Sequence, residues 1–105
     1  MSNYYLLSII LGGLELARVV VSLKIFPADI NVDLDALKEK IRGALPSYAS
    51  IYRFEEEPIA FGLVALIAHI MLPEDLSGGL DEVERRIQEI SDVSDIQIVM
   101  VRRII

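Results

Sequence analysis

At 105 residues with a net charge of −6, the chain fits one domain, and its negative field argues against nucleic acid as a direct partner. Hydrophobic residues at 53% and charged residues at 25% supply a core and an ordinary polar surface, which argues against disorder. The absence of cysteine and a lone histidine exclude disulfides and the common zinc sites, so no metal or cofactor is expected and an intracellular setting fits.

Residues 1–16 carry an apolar patch from Tyr4 to Leu11, but Met1-Ser2-Asn3 lacks the positive side chain that opens a signal peptide. From Arg18 to Phe26 the sequence alternates. Val19, Val21, Leu23 and Ile25 point one way, Arg18, Ser22 and Lys24 the other, which predicts a strand with one buried face. Pro27 ends it, because it has no N–H to give to a neighbouring strand. Asp33 then caps a predicted helix with Leu34, Leu37, Ile41 and Leu45 on its inner stripe, and Pro46 closes that helix.

Ile51 to Glu55 predicts a short edge strand with Tyr52 and Phe54 on one side and Arg53 and Glu55 on the other. Glu56-Glu57-Pro58 reads as the turn out of it. Ile59 to Leu72 follows as a strand apolar on both faces, suited to the middle of a sheet. The longest apolar run, Pro58 to Leu72, is interrupted by Gly62 and His69 and falls short of the roughly 18 to 20 residues of a membrane span. A loop from Pro73 to Gly79 leads to a second helix with Leu80, Val83, Ile87 and Ile90 inward. The last strand, Asp95 to Ile104, sets Ile96, Ile98 and Met100 opposite Gln97, Val99 and Val101.

The order β-α-β-β-α-β describes two split βαβ halves. Right-handed crossovers put both helices on one face of an antiparallel sheet. An α+β, ferredoxin-like sandwich with strand order 4-1-3-2 is therefore expected for residues 17–105. Its helix-free face is expected to expose Val20, Val99, Val101 and one side of the third strand, more apolar surface than solvent favours. Residues 1–16 stand outside this unit, and two readings are open. Either the natural product starts at Leu16 from a non-standard initiation codon and what precedes it is a tag or an artefact of gene assignment, or the segment adds a strand or helix to the open face. Mass analysis of the natural protein separates them.

Three segments are similar to one family. Val32-Asp33-Leu34-Asp35-Ala36-Leu37-Lys38 resembles the opening of the first helix of archaeal elongation factor 1-beta. Glu56-Glu57-Pro58-Ile59-Ala60-Phe61-Gly62-Leu63-Val64-Ala65-Leu66 resembles its turn and third strand. Ser94-Asp95-Ile96 with Val101-Arg102-Arg103 resembles its last strand and C-terminus. The resemblance runs from about Ala17 to Ile105. It implies a cytoplasmic, non-enzymatic guanine nucleotide exchange factor that acts on elongation factor 1-alpha, the GTPase that brings aminoacyl-tRNA to the ribosome.

In the eukaryotic relatives a phenylalanine at the start of the third strand inserts into the GTPase, and a lysine near the C-terminus disturbs its magnesium site. By motif the first role falls to Phe61, beside Gly62. The chain ends Val101-Arg102-Arg103-Ile104-Ile105 without a lysine, so Arg102 and Arg103 are the cations at hand, though a planar guanidinium is bulkier than an ammonium. Read from the residues alone, Phe61 is core, Gly62 marks a bulge or a close backbone approach, the acidic run Glu55 to Glu57 is a solvated turn, and His69 is a satisfied structural residue.

Other classes are less well served. An acylphosphatase-like hydrolase wants an arginine and glycines after the first strand, where this chain has Phe26-Pro27-Ala28-Asp29. A lone histidine gives little material for a nucleophilic triad. An RNA-recognition motif wants stacking aromatics where strands one and four offer Ser22, Lys24, Gln97 and valines. A ferredoxin-like regulatory module that binds a small metabolite is the alternative that the residues leave open.

Overall fold

The computed structural model describes residues 17–74 and 78–104; residues 1–16, on which both readings of the N-terminal segment fall, lie outside the described residues. Among the described residues six elements run in order: β1 (Arg18–Pro27), α1 (Leu34–Ala44), β2 (Ser50–Pro58), β3 (Val64–Pro73), α2 (Gly79–Gln88) and β4 (Val93–Ile104). All pairings are antiparallel and the sheet runs β2-β3-β1-β4, the expected order 4-1-3-2 read from the other edge.

The core forms where the inner stripes meet. Val21, Leu23 and Ile25 of β1 and Leu66, Ala68, Ile70 and Leu72 of β3 face Leu37 and Ile41 of α1 and Val83 and Ile87 of α2. The largely apolar β3 sits in the interior of the sheet, flanked by β2 and β1. Asp33 Oδ1 accepts from the backbone N–H of Asp35 at 3.0 Å and of Ala36 at 3.2 Å, satisfying donors that the first helical turn leaves without partners. Such a cap stabilises a helix by about 1 kcal/mol. Among the described residues the N-terminus of α2 has no side-chain cap; Gly78 precedes it with φ 74°, in the left-handed region that glycine enters without strain.

Three expectations are corrected. First, β3 begins at Val64, and Ile59 to Leu63 form the loop of a hairpin. Leu63 N donates to Ala60 O and Ile59 N to Leu63 O, both at 2.9 Å, while Glu56, Glu57 and Pro58 pair within the sheet with Leu66, Ala65 and Val64. The acidic pair can occupy a strand because each carboxylate meets a cation: Lys24 Nζ lies 2.8 Å from Glu57 and Lys38 Nζ 3.3 Å from Glu56.

Second, the register of β2 against β3 shifts between Ile51 and Arg53. A bulge of this kind turns side chains out of alternation. Ile51 and Phe54 therefore both pack on the core, with the Arg42 guanidinium 5.3 Å from the Phe54 ring centre, while Tyr52 joins Arg53 on the open face. Third, a shift in β4 pairs Leu23 with Ile98 but Ser22 with Met100, leaving Val99 over. Directly paired residues share a face, so Met100 turns to the open side. Val101, opposite the core residue Val21, lies on the helix side instead of the open face.

Candidate functional site

The hairpin tip carries the most unusual residue of the fold. Phe61 is 99% exposed and has φ 56°, followed by Gly62 at φ 82°. Two consecutive positive φ values, closed by the bond from Leu63 N to Ala60 O, make a primed hairpin turn, the kind whose twist suits the flanking strands. Glycine serves the second position at no steric cost, which makes Gly62 a turn residue and not a bulge. A phenylalanine at the first is a conformational outlier. The expected burial of Phe61 in a strand is thus overturned: backbone and ring together aim it into solvent.

The β1–α1 loop stands beside this tip. Asp29 Oδ1 accepts from Asn31 N at 2.7 Å, a side-chain turn that fixes Ile30 between them. A methyl group added at Gly62 would stand 3.8 Å from Ile30 Cγ2. A crevice of about 70 Å³ runs between loop and hairpin, lined by Pro27, Asp29, Ile30, Val32, Leu34, Gly62 and Val64. Ile30 is 61% exposed and Ile59 42%.

A second concavity, about 550 Å³, lies on the helix-free face, with Tyr52, Ile67, Val99, Met100 and Arg102 along its walls. Its floor is a chain of polar groups. Ser22 Oγ is 2.7 Å from His69 Nδ1, His69 Nε2 is 2.7 Å from Glu55 Oε2, and Arg53 Nη2 is 2.8 Å from the same carboxylate oxygen. His69 is therefore satisfied on both ring nitrogens, the structural role expected of it. The set has the members of a nucleophilic triad, for which the sequence offered little material, yet Ser22 is only 6% exposed and is flanked within the sheet by β3 and β4. A nucleophile must be reached by substrate, and although Ser22 lines the groove its hydroxyl offers little surface.

The two C-terminal arginines part company. Arg103 Nη2 donates to Glu74 Oε2, a bond that raises the guanidinium pKa above its ordinary value. Arg102 pairs in register with Val20, reaches the open-face groove and has no ion pair among the described residues. The antiparallel register sets Phe61 and Arg102 at opposite ends of the sheet. Pro27 and Val64 mark one end, Arg18 and Ile104 the other, and Phe61 lies about two residues beyond the first end, so with about 3.3 Å per residue the two lie roughly 30 Å apart.

Sequence reasoning missed Ile30 and the Ser22-His69-Glu55 chain. For the first the signal was an isoleucine between the turn formers Asp29 and Asn31. For the second, register was required. Among the described residues no three His, Asp or Glu side chains are placed to hold a metal, and no helix is long and apolar enough to cross a membrane.

Known proteins agree on one kinship. The family model for the EF-1 guanine nucleotide exchange domain matches residues 20–104. Elongation factor 1-beta of Staphylothermus marinus is 46% identical over 89 residues, 85% of this chain and 99% of the relative. That of Methanobrevibacter smithii is 44% identical over 89 residues, with the same coverage of each chain. That of Sulfurisphaera tokodaii is 43% identical over 86 residues, 82% of this chain and 94% of the relative. The matched region takes in every element from Val20 to the end of β4, the hairpin with Phe61 included, and the chain belongs to the elongation factor 1 guanine nucleotide exchange domain family.

Proposed function

We propose that this chain speeds GDP release from elongation factor 1-alpha in the cytoplasm during translation elongation, and that Phe61 is the residue it inserts. The observation that carries the reading is the tip itself: a large apolar ring fully in solvent, on a backbone that resists it, in a chain of the exchange-domain family. Strained residues of this kind cluster at sites that bind or switch.

A GTPase holds GDP through a phosphate-cradling loop and a bridging magnesium ion. An exchange factor needs no chemistry of its own. It must bind the empty GTPase more tightly than the loaded one, and the coupling is reciprocal, so nucleotide weakens the factor as much as the factor weakens nucleotide. A thousandfold faster release requires about 4 kcal/mol of preferential stabilisation of the release barrier. Burying one phenylalanine supplies about 1.5–3 kcal/mol, so Phe61 is a large part of what is needed and not all of it. Arg102, facing the groove without an ion pair among the described residues, is the better placed of the two cations to act on the partner's charges.

Release of labelled GDP from purified elongation factor 1-alpha tests the reading. The chain should accelerate it, and Phe61→Ala should lower the acceleration by about tenfold or more, as expected for a lost contact of roughly 1.4 kcal/mol or above, with the melting temperature almost unchanged because the ring touches solvent. A large fall in melting temperature with full exchange per folded molecule would make Phe61 structural. A regulatory module that binds a small metabolite is less well supported, since Ser22, His69, Glu55 and Arg53 on the groove floor already satisfy one another.

A further inference from the structure

The exposed apolar surface at the hairpin end is larger than one ring. Ile30, 61% exposed, Ile59, 42% exposed, and Phe61 come from two separate loops, and the proximity of Ile30 to Gly62 joins them at one end of the sandwich. Loop tips normally carry polar residues, and apolar side chains gathered there inside a polar surround mark a contact surface. The surround here is acidic. Asp29, Asp33, Glu56 and Glu57 lie on the β1–α1 loop and the last residues of β2, with Lys24 and Lys38 as the cations paired to the two glutamates.

We propose that Ile30 and Ile59 form one docking surface with Phe61, and that it seats in an apolar recess with a cationic rim on the GTPase. This rests on the exchange-factor reading above and adds to it the contacts that Phe61 alone does not provide. Continuity with the Phe61 contact fixes the occupant, and charge complementarity fixes the rim. Ile30 is the position most worth changing, because its turn, closed by Asp29 and Asn31, holds the side chain outward without help from the core.

The test is stopped-flow release of fluorescently labelled GDP from elongation factor 1-alpha, with the factor below saturation. Ile30→Ser is expected to lower the exchange rate by about tenfold, Ile59→Ser by a smaller factor, and Ile30→Leu by less than about twofold. The loss from Ile30→Ser should appear as weaker binding to the nucleotide-free GTPase, and wild-type binding should weaken as salt rises. An active wild type with equally active Ile30→Ser and Ile59→Ser overturns this inference and leaves the exchange reading standing. A wild type that leaves GDP release unchanged overturns both. If Ile30→Ser melts well below wild type, Ile59→Ser carries the same test on a separate loop. If the surface instead pairs two copies of this chain, sedimentation shows a concentration-dependent dimer that Ile30→Ser dissolves with exchange intact, which also overturns the proposal.

Discussion

Phe61 holds φ 56° because the strands on either side dictate it: Pro58 pairs with Val64, and the loop between them closes only through a primed turn. A residue with a Cβ pays about 1–2 kcal/mol in that conformation, and the exposed ring gains nothing from packing in return. Replacing it by glycine should therefore leave the unfolding free energy measured in urea unchanged or raise it by up to roughly 1 kcal/mol, while exchange falls. Stability and activity moving in opposite directions would mark the strain as functional; a clear drop in the midpoint would mean that the ring packs in solution. The pattern of the sequence could not disclose this residue's placement. Ile59 to Leu66 holds only apolar residues and Gly62, a stretch in which neither period stands out, and only the glycine marks a turn. It is the family resemblance, set beside the pattern, that singles out Phe61. His69 is legible as a satisfied residue, but its partners Ser22 and Glu55 depend on a register that no local pattern records.

The elements are easier to read than their irregularities. Both helices emerge from apolar spacing, and α2 adds a charge cluster on its outer side: Glu82 Oε2 lies 2.5 Å from Arg85 Nη2 and 2.8 Å from Arg86 Nε, and Arg85 Nη1 lies 2.7 Å from Glu89. Hydrogen bonds from Arg85 and then Arg86 hold the Glu82 carboxyl down from 4.5 to about 2. A carboxyl with a depressed pKa in the folded state takes up its proton more readily when unfolded, so acid favours the unfolded chain. The contribution is complete above about pH 4.5 and is lost as pH falls towards about 2. Glu82→Gln should accordingly lower the urea midpoint most above pH 4.5, with the gap to wild type closing by pH 2. A gap constant across that range would assign the loss to packing. In the strands, period-2 alternation located three and an unbroken apolar run the fourth; the hairpin boundary was lost in that run, and the two errors of facing each came from a single extra residue. The shift near Tyr52 and the surplus Val99 each reverse the faces of the residues beyond them, and nothing in local composition distinguishes a bulged valine from a paired one.

At the scale of the whole molecule, the strand order and the one-sided placement of the helices are legible because crossover handedness leaves little choice. What the arrangement means for function is not, since it depends on which ends the hairpin and the C-terminus occupy. Phe61 and Arg102 lie roughly 30 Å apart at about 3.3 Å per residue, with the open-face groove between them. An interface of about 800 Å² per partner is some 28 Å across, so one GTPase can touch both only if it lies along the sheet. The groove, with Tyr52, Met100 and Arg102 on its walls, then becomes covered surface in the complex. Two positions so far apart share no neighbours, and energetic effects at sites beyond about 7–10 Å normally add. Arg102→Ala should therefore slow GDP release by a few-fold, and more so at low salt, because an exposed cation acts over about a Debye length of 10 Å at 0.1 M. Arg103→Ala should have the smaller effect, since its guanidinium is engaged with Glu74. The double variant Phe61→Ala, Arg102→Ala should lose the product of the two single losses. Loss in the double no greater than in Phe61→Ala alone would mean that Arg102 acts only after the ring has seated, and equal losses from Arg102→Ala and Arg103→Ala would reduce the C-terminus to a general positive charge.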